Sequence, residues 1–123
     1  MRETLQALRV QGVKLAVVTN KEGRYTQVVM QVHQLVPLFD AVVSGDTLPT
    51  KKPDPAGVAQ CLAQFEVAKA RTLFVGDSSI DAATARNAGV PVWLLPYGYN
   101  MGQAIEACAP DRVIADFTSL LNQ

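Results

Sequence analysis

Histidine and cysteine are nearly missing from this sequence, which has one His, at position 33, and two Cys, at 61 and 108. A structural zinc centre takes about four nitrogen or sulfur ligands, so no zinc centre is expected. Cys61 and Cys108 show no Cys-x-x-Cys spacing and fall among apolar residues of predicted helices, which reads as buried reduced thiols rather than a disulfide or metal ligands. His33 follows the amphipathic stretch Val28-Val29-Met30-Gln31-Val32 and has no second histidine to work with, so it reads as a helix-surface residue. An excess of either charge is also missing: eleven basic and eleven acidic side chains balance, and no basic run exceeds Lys51-Lys52. Nucleic acid and anionic membranes are therefore not expected partners. No apolar run approaches the roughly 20 residues that span a bilayer, and Met1-Arg2-Glu3-Thr4 lacks the apolar core of a signal peptide. A soluble cytoplasmic protein is expected. The first aspartate of any kind is Asp40.

What is present is a core. Hydrophobic residues make up 49% of the 123, enough for one globular domain spanning residues 1–123. Short apolar segments alternate with helical spacing, the pattern of parallel βαβ units covered on both faces. Thr4 to Val10 reads as a helix with Leu5 and Leu8 inward, and Lys14 to Thr19 as a strand. Tyr25, Val28, Val29, Val32, Leu35 and Val36 keep helical spacing as far as Pro37. Ala41-Val42-Val43, Thr72 to Val75, Val92 to Leu95 and Arg112 to Ala115 read as further strands, with helices over Ala56 to Phe65 and Ser78 to Ala88 and a last one capped by Asp116. The fold class is α/β: a Rossmann-like three-layer α/β/α sandwich with a mainly parallel sheet. Right-handed crossovers send every strand's C-terminal end to one edge, where such sheets bind ligands. Thr19, Ser44-Gly45-Asp46, Asp77 and Tyr97 are expected there.

Three polar clusters stand out at that edge. Gly76-Asp77-Ser78-Ser79-Ile80-Asp81 places two carboxylates where an apolar strand gives way to a helix, so both acids can face one point. A carboxylate at the edge of a buried sheet is costly unless paired, hydrogen-bonded or metal-bound, and magnesium is content with one or two carboxylates beside a phosphate. Asp81 also has a plainer role, as a favourable charge in a helix's first turn. Thr19-Asn20 ends a strand and offers a hydroxyl and an amide; taken alone it reads as a strand end with a helix cap. Lys52-Pro53-Asp54-Pro55 opens a helix, and its prolines fix the backbone around a lysine that can neutralise an anion. Tyr97-Gly98-Tyr99-Asn100-Met101-Gly102 reads as a loop beside the site or, as aromatic loops more often are, as satellite core, and no catalytic role is expected of it.

In that order, a strand ending in Thr, a Lys-Pro and a Gly-Asp-x-x-x-Asp, the clusters resemble the haloacid dehalogenase (HAD) superfamily of phosphatases, and within it the phosphoglycolate phosphatase group. The resemblance runs from Glu3 to Leu121. It implies a magnesium-dependent hydrolase of phosphate monoesters, acting on a small phosphorylated metabolite such as 2-phosphoglycolate. It makes Thr19 and Asn20 phosphate-binding, Lys52 and Thr19 catalytic, and Asp77 and Asp81 the Mg2+ ligands. The family's nucleophile sits in an Asp-x-Asp near the N-terminus, and no Asp-x-Asp occurs here. The resemblance therefore implies a HAD-like core lacking its first strand, cap and nucleophile, inactive by itself, with exposed sheet edges that a homodimer would cover. Ser79 and Ile80 depart from the polar pair of the phosphoglycolate group. A non-catalytic partner-binding fragment is the alternative. A signalling receiver domain shares the Thr and Lys-Pro, but its acidic pair must precede the Thr, and here Asp77 and Asp81 follow Lys52.

Overall fold

The computed structural model describes residues 2–96, 110–114 and 120. The Tyr97–Gly102 loop, Cys108 and the helix expected after Asp116 lie outside the described residues. The chain packs as two compact units, one drawn from Met1–Lys51 and Phe117–Gln123, the other from Lys52–Asp116.

The first unit contains α1 (Arg2–Val10), β1 (Ala16–Val18), α2 (Gly23–Val32), a 3-10 turn (Val36–Leu38) and β2 (Ala41–Val43). α1 buries Leu5 and Leu8 as their spacing predicts. β1 and β2 pair in parallel, with Ala16 opposite Ala41 and Val18 opposite Val43. A carboxylate sets that register. Asp40 Oδ2 accepts the Leu15 N–H at 2.8 Å and an Arg9 guanidinium N–H at 3.0 Å, while the Asp40 N–H donates to the Leu15 carbonyl at 2.7 Å. Arg9 also donates to the Leu38 carbonyl at 3.0 Å, which fastens α1 over the turn.

α2 departs from the inward apolar face that helical spacing suggests. Its buried residues are Thr26 and Met30, whereas Tyr25, Val28, Val29 and Val32 are exposed, as is Val36 beyond it. The Thr26 hydroxyl donates to the Glu22 carbonyl at 3.1 Å, so a polar residue is accommodated on the inner face. His33 is exposed at the end of α2, as expected of a surface residue.

The second unit contains α3 (Ala56–Phe65), a 3-10 turn (Lys69–Arg71), β3 (Phe74–Gly76), α4 (Ser79–Ala88), β4 (Val92–Leu94) and β5 (Arg112–Val113). Its strands among the described residues are all parallel, in the order β3-β4-β5. The middle strand is the most buried: Val92 and Leu94 are enclosed, whereas β3 at the edge is only half-buried. α4 lies against β3 and β4 with the small residues Ala82, Thr84 and Ala85 fully enclosed, and α3 packs on α4. The bracket formed by Asp40 recurs here: Asp111 Oδ2 accepts the Val92 N–H at 2.7 Å and the Asp111 N–H donates to the Val92 carbonyl at 2.9 Å. Cys61 is buried in α3, and burial pushes its thiol pKa up.

Candidate functional site

β3 ends at Gly76, and Ser78 caps α4 two residues on. The Ser78 Oγ accepts the Asp81 N–H at 3.3 Å and donates to Asp81 Oδ2 at 3.2 Å, a reciprocal cap that turns the Asp81 side chain back over the strand end. Asp81 Oδ2 also accepts the Asp77 N–H at 3.0 Å. Gly76 is required for this packing, since a Cβ at that position would run into the Asp81 carboxylate.

Lys52 meets the other Asp81 oxygen. Its Nζ lies 2.7 Å from Oδ1, and the two side chains are only 15% and 8% exposed. The lysine is placed from both sides. Asp54 Oδ1 accepts the Ala56 N–H at 2.9 Å at the start of α3, and the Asn87 amide of α4 donates to the Pro53 carbonyl at 2.9 Å. The Lys52–Pro53 peptide is cis. Lys51, next to it, is exposed.

Lys52, Asp77 and Asp81 are thus brought together within one unit. The two carboxylates differ in state. Asp81 is 5% exposed and its oxygens already accept from an ammonium, an amide and a hydroxyl. Asp77 is exposed as a residue, yet burial of its carboxyl and the neighbouring Asp81 charge push its pKa above the usual carboxylate value, against the opposing pull of Lys52. A carboxyl that resists ionisation beside a second acid is suited to a cation, which would relieve that repulsion. The donor set fits magnesium, a hard ion that takes oxygen ligands and keeps several waters. Among the described residues no cluster of three or more His, Cys, Asp or Glu forms a fuller cage.

Thr19 and Asn20 belong to the other unit, where the chain leaves β1. The Thr19 N–H continues the ladder to the Val43 carbonyl at 2.9 Å, and its Oγ1 accepts the Lys21 N–H at 3.2 Å. The Ser44-Gly45-Asp46 turn after β2 meets this loop. The Gly45 N–H donates to the Lys21 carbonyl at 2.7 Å, and Asp46 Oδ1 accepts the Gly23 N–H at 2.8 Å.

Sequence reasoning missed Ser78 as the partner of Asp81, Asn87 as the brace behind Lys52, and the grip of Asp46 on Gly23. The first was legible as a Ser-x-x-Asp capping pattern. The other two span 34 and 23 positions and leave no local signature.

The haloacid dehalogenase-like hydrolase family matches residues 1–95. A phosphoglycolate phosphatase of Pseudomonas putida is 42% identical over 121 residues, covering 98% of this chain and 44% of the relative. One of Nitrosospira multiformis is 44% identical over 114 residues, covering 93% of this chain and 50% of the relative. The crystal structure of a "predicted phosphoglycolate phosphatase" of Haemophilus somnus superposes with a TM-score of 0.94 at 39% identity, covering 98% of this chain and 54% of that one. The chain thus spans about half the length of the curated relatives it matches. Parallel α/β architecture, the strand-end acids with their lysine and the family match converge: this chain belongs to the haloacid dehalogenase-like hydrolases.

Proposed function

We propose that the chain carries the charge-handling part of a magnesium-dependent phosphate monoester hydrolase, with 2-phosphoglycolate or a similar small phosphorylated metabolite as substrate. The observation that carries this reading is Lys52 held 2.7 Å from Asp81 beside Asp77, a cation and two acids fixed at a strand end. Phosphoryl transfer asks a protein mainly for positioning and charge compensation, which these groups supply. In the first unit Thr19 would donate its hydroxyl and Asn20 its amide to phosphoryl oxygens; in the second, Lys52 would offset negative charge. Asp77 and Asp81 would hold Mg2+, Asp77 with the more accessible carboxylate. When bound, the ion would supply further positive charge to the phosphate. The phosphoglycolate phosphatase relatives support the substrate class.

These 123 residues contain no Asp-x-Asp, so by themselves they are expected to lack the nucleophile and to be inactive. Among the described residues no helix is long and apolar enough to cross a membrane. β1 pairs with β2 alone among the described residues, and β3 is an edge strand, so a homodimer through sheet edges completes the reading.

The second reading, a non-catalytic partner-binding chain, is favoured by the apolar stripe of α2. A chimera discriminates the two. These residues joined behind the first half of the Pseudomonas putida relative are expected to hydrolyse 2-phosphoglycolate in magnesium, and Lys52→Met is expected to abolish that turnover. Turnover untouched by Lys52→Met would contradict the proposed role.

A further inference from the structure

The Thr19–Glu22 loop is gripped from outside. Glu22 stands at the N-cap of α2 but makes no side-chain cap hydrogen bond. The cap comes instead from the turn after β2, where Asp46 Oδ1 accepts the Gly23 N–H at 2.8 Å. Gly23 permits the approach, because a Cβ there would already stand 3.1 Å from that oxygen. One residue earlier, the Gly45 N–H donates to the Lys21 carbonyl at 2.7 Å, and Gly45 lies so close to the Asn20 carbonyl that a Cβ would collide with it. The Thr26 hydroxyl reaches the same Lys21 carbonyl at 3.3 Å. The gripping turn is itself braced, since the Ser44 N–H donates to Thr47 Oγ1 at 2.8 Å and the Thr47 N–H to the Ser44 carbonyl at 3.2 Å. The consequence falls on Thr19. With Lys21 fixed, the Lys21 N–H donates to Thr19 Oγ1, which spends an oxygen lone pair and leaves the hydroxyl proton to point at another acceptor.

We propose that Asp46 is a positioning residue for phosphate capture: by capping α2 across the strand pair it holds Thr19 and Asn20 in the geometry that receives an oxyanion. The inference rests on the phosphate-binding role proposed above for those two residues. It assigns Asp46 a geometric task, in which the acceptor oxygen matters and the charge does not. A carboxylate already seated on the end of α2 also occupies the N–H that an anion would otherwise take, so the phosphate is directed to Thr19 and Asn20.

The test is titration of the intact chain with inorganic phosphate in magnesium, followed by the amide 15N–1H signals of Thr19, Asn20 and Lys21. Asp46→Ala is expected to weaken phosphate binding about fivefold, the equilibrium worth of one capping interaction. Asp46→Asn, which keeps an acceptor oxygen and drops the charge, is expected to restore it. Thr47→Val, which loosens the turn without touching α2, is expected to weaken binding in the same direction and serves if Asp46→Ala does not fold. Unaltered binding in Asp46→Ala and Thr47→Val, or a loss in Asp46→Asn as large as in Asp46→Ala, would overturn the inference while leaving the phosphate site standing. No phosphate response at Thr19 to Lys21 in the unaltered chain would instead overturn the phosphate-binding reading and the inference with it.

Discussion

Lys52 Nζ and Asp81 Oδ1 stand 2.7 Å apart, with both side chains largely removed from water. A buried pair of this kind contributes little net stability while whole, but losing one member strands the other charge. Lys52→Met is therefore expected to destabilise the chain by about 3 kcal/mol, read as a lower urea midpoint. Asp81→Asn keeps an oxygen for the Asp77 N–H and the Ser78 hydroxyl but turns its NH2 toward the Lys52 ammonium, so it is expected to cost a similar amount. Equal stability of Lys52→Met and the unaltered chain would mean that solvent screens the pair.

Acid stability is expected to depend on Asp40. Burial opposes ionisation of its carboxyl, but the Leu15 N–H, the Arg9 guanidinium and the Lys14 charge outweigh burial and hold the pKa below its ordinary 3.8. A depressed acid contributes its full stabilisation above the unfolded pKa and loses it as pH falls through the folded one. Unfolding followed by circular dichroism should thus show a steep loss below about pH 4 that flattens in Asp40→Asn. An identical acid limb in the variant would remove Asp40 from the account.

Incubated alone with 2-phosphoglycolate or p-nitrophenyl phosphate in magnesium, the 123 residues are expected to show no appreciable turnover. Released phosphate is the readout. Turnover that disappears in Asp77→Asn would show that a nucleophile other than an Asp-x-Asp serves this chain.

The side of β1 left unpaired among the described residues is expected to draw two chains together. Size-exclusion chromatography with light scattering should report a mass that rises toward the dimer with concentration. A concentration-independent monomer with a fully cooperative thermal transition would rule out pairing through sheet edges.

The sequence carried the elements further than it carried their contacts. Runs such as Leu15 to Val18 and Leu73 to Val75 announced strands because a buried parallel strand must be apolar on both faces, and their observed bounds shift by one or two residues. Asp77 and Asp81 were legible as a pair because four residues across a strand-to-helix turn bring two side chains to one side. α2 was not legible in this way. Periodicity marks an apolar face without saying whether anything covers it, and Val28 and Val32 prove exposed while Thr26 is enclosed. The Asp40 and Asp111 brackets, the Asn87 brace and the Asp46 cap escaped for another reason: each joins residues distant in the chain through one or two hydrogen-bonding groups, and no spacing rule records that.

Magnesium binding tests the central claim most directly. Two carboxylates, one of them already holding an ammonium, leave a dehydration-averse ion dependent on water or phosphate for its remaining ligands. Calorimetric titration of the chain with Mg2+ is expected to show weak binding that strengthens when inorganic phosphate is present and vanishes in Asp77→Asn. Micromolar binding by the chain alone, or binding indifferent to Asp77→Asn, would contradict the assignment of Asp77 and Asp81 as the metal-holding pair.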